Sequence, residues 1–115
     1  MIRRLGPGDE ALLRRLAEED ADFDIAGRGA ALQPLPPAAA QRYLADPTVL
    51  HWVAELDGEV AGHLLCYVER RRSGEELQLL LYEIGVRDGQ RRRGIGRALL
   101  AEMRAWMHEH EVAET

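Results

Sequence analysis

The chain has 115 residues, enough for one hydrophobic core, with 46% hydrophobic and 30% charged side chains. Its net charge is −5 and all 15 basic residues are arginine, which argues against nucleic acid as a partner and removes lysine chemistry, the P-loop and Schiff bases included. No apolar run nears the roughly 20 residues of a membrane span, the N-terminus lacks a signal-peptide core, and the single Cys66 excludes an internal disulfide and a Cys-based zinc site.

These features predict one domain over residues 1–115, placed in the cytoplasm and without a membrane partner. In chain order, Ile2 to Leu5 is the first expected strand, and Gly6-Pro7-Gly8-Asp9 is a turn whose Asp9 is a candidate helix N-cap. Leu12, Leu13, Leu16 and Ala17 then recur at helical spacing. Asp20 to Leu35, acidic and then rich in Gly and Ala, reads as a loop or broken helix. Pro36-Pro37 opens a second short helix through Tyr43-Leu44-Ala45, and Asp46-Pro47 closes it.

From Thr48 the period changes. Thr48 to Leu56 and Glu59 to Glu69 are apolar runs joined by Asp57-Gly58, the signature of a β-hairpin. After a polar loop from Arg70 to Glu76, Leu77 to Val86 is a third run with one charge, Glu83. An amphipathic helix follows Gly94-Ile95-Gly96, with an expected inner face of Ile95, Leu99, Met103, Trp106 or Met107, and His110. Val112 to Thr115 reads as the start of another strand.

The segment from Val86 to Leu100 carries most of the chemistry. Glycines 94 and 96 leave backbone N–H groups open at a helix start, where unpaired amides and the dipole favour phosphate oxygens. Arg91, Arg92, Arg93 and Arg97 add positive charge there. A dinucleotide fingerprint requires a third glycine, and Leu99 stands in that place. A nucleic-acid patch lacks interleaved aromatics, while a purely structural glycine turn with solvated arginines remains the plain alternative.

Arg91-x-x-Gly94-x-Gly96, after a strand ending in Val86 and before a long helix, resembles motif A of the GNAT N-acetyltransferases, (Gln/Arg)-x-x-Gly-x-(Gly/Ala). The Ile-Arg-Arg-Leu start, the Asp57-Gly58 hairpin, Tyr82-Glu83-Ile84-Gly85-Val86 and the Gly94-to-Trp106 helix follow the family's order. Among subfamilies the chain is most similar to the aminoglycoside 3-N-acetyltransferase group. The resemblance implies an α/β fold, a mixed, mostly antiparallel sheet flanked by helices in the order β1-α1-α2-β2-β3-β4-α3 and the start of β5. It also implies a C-terminally truncated form, since the chain ends before the family's motif B.

The resemblance further implies transfer of acetyl from acetyl-coenzyme A to a primary amine, such as that of an aminoglycoside-like or other cationic small molecule, with no metal. Ile84 and Val86 would pair with the pantetheine arm through their backbones. The N–H groups of Arg92, Arg93, Gly94, Gly96 and Arg97 would cradle the pyrophosphate, with Ile95 and Ala98 in the same turn and the Arg91 and Arg92 side chains reaching the phosphates.

An amine with a pKa near ~10 must lose a proton before it attacks. Glu83 is the base candidate, expected to be buried among Leu79, Leu80, Leu81 and Ile84; the alternative is a structural acid bonded to backbone amides or an arginine. Tyr82 is the other catalytic candidate, and alternation puts it opposite Glu83 unless the strand is bulged. The general acid is a gap: the family often takes a tyrosine from a later helix, and Tyr43, Tyr67 and Tyr82 do not match that position. Cys66 reads as a small core residue. Glu18, Glu19, Asp20, Asp22 and Asp24 would attract a cationic acceptor or simply be a solvated helix end. His108 and His110 lie on different helix faces and make no metal pair. The rival readings are a catalytically inactive coenzyme-A-binding module and a truncated, self-associating fragment; an open sheet edge makes a homodimer the expected assembly.

Overall fold

The structure, a computed structural model, describes residues 1–23, 32–70, 72, 74 and 76–114. The period-2 runs form strands β1 (Ile2–Arg4), β2 (Val49–Leu56), β3 (Glu59–Arg70), β4 (Leu77–Val86) and β5 (Ala113–Glu114). They make one sheet in the order β1-β2-β3-β4-β5, antiparallel from β1 to β4 and parallel between β4 and β5. The mixed, mostly antiparallel sheet is therefore the one expected. Asp57 and Gly58 take φ of 52° and 79°, the two left-handed conformations of a type I′ turn, and Leu56 lies directly opposite Glu59.

The helical spacings fold as α1 (Glu10–Glu18), α2 (Pro37–Ala45) and α3 (Ile95–His110), and a 3-10 turn over Asp20–Asp22 begins the expected broken region. Phe23 then bridges to Arg87 just beyond β4. On one sheet face Ile95, Leu99 and Met103 of α3 pack on Leu50, Trp52, Leu64, Cys66 and Leu79. Burying a side chain such as Leu99 contributes about 1.5–3 kcal/mol. On the other face Leu16 and Leu44, from α1 and α2, join Leu5, Phe23, Val53 and Val60. Gly62 lets α3 approach β3, for a Cβ there would stand 2.8 Å from Ile95 Cγ2. Among the described residues no helix is long and apolar enough to cross a membrane.

Two expectations change. Asp9 stands at the N-cap of α1 but makes no side-chain cap; its carboxylate accepts from Gly6 N–H (2.9 Å) and from the Arg3 guanidinium (3.0 and 3.1 Å). The charged fork of Arg3 outcompetes a single helix amide. His110 is exposed, stacked on Trp106 at 4.2 Å, because Trp106 and Met107 already cover the end of the core. Trp106 and Met107 are both half-buried, on the inner face where one of them was expected. Cys66 is buried, its Sγ 3.6 Å from Met103 Sδ, as a core residue should be.

Candidate functional site

The strand β4 and the start of α3 diverge from a short loop and enclose a cleft of about 420 Å³. Ile84, Gly85 and Val86 form one wall; Gln90, Arg91, Arg92, Gly94, Ile95, Gly96 and Arg97 form the other. Among the described residues the strand β5 lies beside β4 only at Gln78 and Leu79, so the cleft occupies the edge where the sheet splays. Gly94 caps α3 in the left-handed region (φ 76°) with no side chain over the helix end. Its carbonyl accepts the first intrahelical bond, from Ala98 N–H at 2.9 Å. The amides of Ile95, Gly96 and Arg97 thus belong to the turn that helix geometry leaves without internal acceptors.

Eight of the ten positions expected around a coenzyme line this cleft; Arg93 and Ala98 do not, and both are exposed. The Ala98 amide is spent inside the helix. Arg91 is drawn to Asp88 at 2.6 Å, and Arg92 sits at φ 66° in the loop. Gln90 is not singled out by sequence, yet its Oε1 is a buried acceptor in the cleft wall with no hydrogen-bond partner among the described residues. An orphaned acceptor, open helix amides and flanking arginines suit an elongated ligand with amide donors and phosphates.

The opposite face of β4 is shaped by a bulge. Leu65 pairs with Glu83 and Cys66 with Leu81, so Tyr82 is the extra residue. The strict alternation that separated Tyr82 from Glu83 is thereby broken. Tyr82 stands edge-on to Tyr67 (5.3 Å between rings), and Tyr67 senses both Tyr82 and Glu83. Burial first, then those two neighbours, raise the Tyr67 phenol above its ordinary pKa of 10.0. Glu83 is half-buried, not sealed among leucines, since Leu80 is exposed and the α1–α2 layer covers only part of this face.

Beneath α2 runs a polar chain that sequence reasoning missed. The Tyr43 hydroxyl is 2.9 Å from His51 Nδ1, and His51 Nε2 is 3.0 Å from His63 Nδ1. Both imidazoles are buried. Burial, then the neighbouring His63, pushes His51 down to about 3, so it is neutral at ordinary pH. Burial chiefly, with Tyr67 and Glu83, pushes Tyr43 well above the ordinary tyrosine range. The signal available in the sequence was a lone histidine within each of two apolar strands.

Part of the acidic stretch is taken up by an arginine. Arg87 binds Glu19 (2.6 Å) and Asp22 (3.1 Å), donates to Val60 O (2.8 Å) and lies over the Phe23 ring at 4.7 Å. Two of the expected acceptor-steering acids are thus neutralised, and the Glu19 carboxyl is held below its ordinary value by the Arg87 guanidinium. Asp24 lies outside the described residues. Among the described residues no group of His, Cys, Asp and Glu is arranged to hold a metal.

The sequence profile of the acetyltransferase (GNAT) family matches residues 13–115. Among curated proteins nothing matches the chain. Similar solved structures include an aminoglycoside acetyltransferase from an uncultured soil metagenomic sample, with 21% identity, a TM-score of 0.80, and 99% of this chain and 75% of that one covered. A second such enzyme, solved with trehalose, gives 23% identity and a TM-score of 0.79 over 99% of this chain and 73% of its own. A ribosomal-protein-alanine N-acetyltransferase from Brucella melitensis biovar Abortus 2308 gives 20% identity and a TM-score of 0.72, with 99% and 76% covered. At these identities the likeness is one of fold. The profile match runs from α1 to the end of the chain and takes in the bulged strand, the splayed edge and the glycine-started helix; this chain belongs to the GNAT family of acetyltransferases.

Proposed function

We propose that the chain transfers an acetyl group from acetyl-coenzyme A to a primary amine of a small cationic molecule. The observation that carries this reading is the cleft between the splayed end of β4 and the uncapped start of α3. In it Ile84 and Val86 offer a strand edge to the pantetheine arm, and Gln90 Oε1 offers an acceptor to an amide or hydroxyl donor. The first-turn amides of α3, with Arg91, Arg92 and Arg97, hold the phosphates. When bound, acetyl-coenzyme A supplies the acetyl thioester.

The acceptor stands on the other side of β4, beside Tyr67, Tyr82 and Glu83. Aromatic faces next to a carboxylate favour an aliphatic ammonium group. Glu83 takes the proton that a bound ammonium must lose, a contribution of about 10²–10⁴-fold for a well-placed base. Tyr82, brought alongside by the bulge, packs against the acceptor and orients it. The neighbours named as aminoglycoside acetyltransferases support an aminosugar-like acceptor.

Thermal unfolding with and without acetyl-coenzyme A, followed by thiol release over a panel of amines, tests this reading. Coenzyme at 100 times its Kd adds about 2.7 kcal/mol, a rise of several degrees for a domain of this size. Thiol release should then depend on a polyamine or aminosugar. No thermal shift at millimolar coenzyme would sink the cleft assignment. A shift with no thiol release from any amine would leave a coenzyme-binding module.

A further inference from the structure

We infer that Tyr43, His51 and His63 form a proton relay that returns Glu83 to its carboxylate after it has deprotonated the acceptor. The inference rests on Glu83 being the base proposed above. The relay spans three elements, from α2 through β2 to β3, in two hydrogen bonds of 2.9 and 3.0 Å. Two buried imidazoles are not needed to fill this face, since Val53, Val60 and Leu65 fill the same layer with apolar groups. Buried polar rings cost stability unless fully bonded, and a connected chain of them calls for a role.

Between His51 Nε2 and His63 Nδ1 there is room for one proton. If His51 holds it, His51 Nδ1 is bare and accepts the Tyr43 hydroxyl proton. If His63 holds it, His51 Nδ1–H donates to the Tyr43 oxygen, and Tyr43 turns its own O–H toward the acceptor side. The chain therefore has two neutral arrangements that differ by the movement of protons along its bonds. His51, Leu65 and Glu83 stand in one row across β2, β3 and β4, and Tyr43 reaches His51 on that face, so the chain and the proposed base share one side of the sheet.

In the forward step the Glu83 carboxyl O–H breaks and its proton reaches the Tyr43 oxygen, directly or over one water. The former Tyr43 proton bonds to His51 Nδ1, the His51 Nε2 proton bonds to His63 Nδ1, and the His63 Nε2 proton leaves by way of the surroundings that His63 contacts and on to solvent. Glu83 ends as a carboxylate, each relay member ends neutral, and one proton enters solvent. The reverse motion resets the chain and sends a proton toward the site. Tyr43, His51 and His63 act through Glu83 and are positioning residues.

Two kinds of measurement decide it. Nitrogen-15 NMR of the free protein reads where the shared proton resides; the relay requires His51 Nε2 and His63 Nδ1 both to show averaged, part-protonated shifts near pH 7. A proton fixed on one nitrogen, or a charged His63, overturns it. The second is kcat in mixtures of light and heavy water for Tyr43→Phe and for His63→Asn, which keeps an amide near the Nδ1 position but has no second ring nitrogen. Both should lower kcat at least roughly tenfold, leave KM and the coenzyme-induced thermal shift unchanged, and replace a curved proton inventory with a linear one. Wild-type kcat in both variants, with Glu83→Gln inactive, removes the relay and keeps the base. Full turnover in Glu83→Gln removes the base reading itself, and the relay with it.

Discussion

Glu83 and Tyr82 show how one extra strand residue changes which side chains meet. The bulge opposite Leu65 and Cys66 brings both onto the side of Tyr67. Glu83→Gln keeps the size of the side chain and removes its basicity, so turnover should fall by about 10²-fold or more while coenzyme binding persists. Steady-state kinetics beside thermal shift checks this, and undiminished turnover would count against the base. His51 carries a second expectation. Its folded pKa of about 3 lies below the ordinary 6.5, so between these values the unfolded chain binds a proton that the folded chain refuses. Its contribution is complete above pH 6.5 and shrinks as pH falls toward 3. Melting temperatures from pH 7.5 to 5 should decline for the wild type and less steeply for His51→Phe. Asp9 and Glu19, held below 3.8 and 4.5 by Arg3 and Arg87, lose their contribution only at lower pH.

At the scale of elements, the start of α3 is the part most exposed to failure. Gly94 stands at φ 76°, a conformation that costs an L-residue about 1–2 kcal/mol. Gly94→Val should therefore lower the melting temperature modestly and abolish the rise caused by acetyl-coenzyme A, because the branched side chain crowds the helix amides. Calorimetry of the variant with and without coenzyme reads both effects, and a retained rise would remove the phosphate role of this turn. Arg87 ties the segment from Glu19 to Phe23 to the end of β4, so the layer after α1 and the cleft-bearing end of the strand meet at one side chain.

For the molecule as a whole, the edge of β4 decides behaviour in solution. The strand β5 covers Gln78 and Leu79, while Leu80 and Tyr82 are exposed further along. A strand edge with apolar neighbours recruits other strands, and a two-fold contact satisfies both copies. Light scattering should report a dimer at micromolar concentration. A monomer throughout that range would mean that the short β5 pairing is protection enough.

The sequence by itself determined the element order, the Asp57-Gly58 hairpin, the core face of α3 at Ile95, Leu99 and Met103, and most of the cleft-lining positions. The elements depend on local periodicity or on a turn whose φ requirement is written in one or two residues, and the cleft positions follow from the motif resemblance around Arg91-x-x-Gly94-x-Gly96. The Tyr82 bulge, the Tyr43–His51–His63 chain, the orphaned Gln90 Oε1 and the capture of Glu19 and Asp22 by Arg87 were decided only by tertiary structure. Register between strands and the meeting of side chains 8, 12 or 68 residues apart depend on how the layers pack, and no local pattern encodes that.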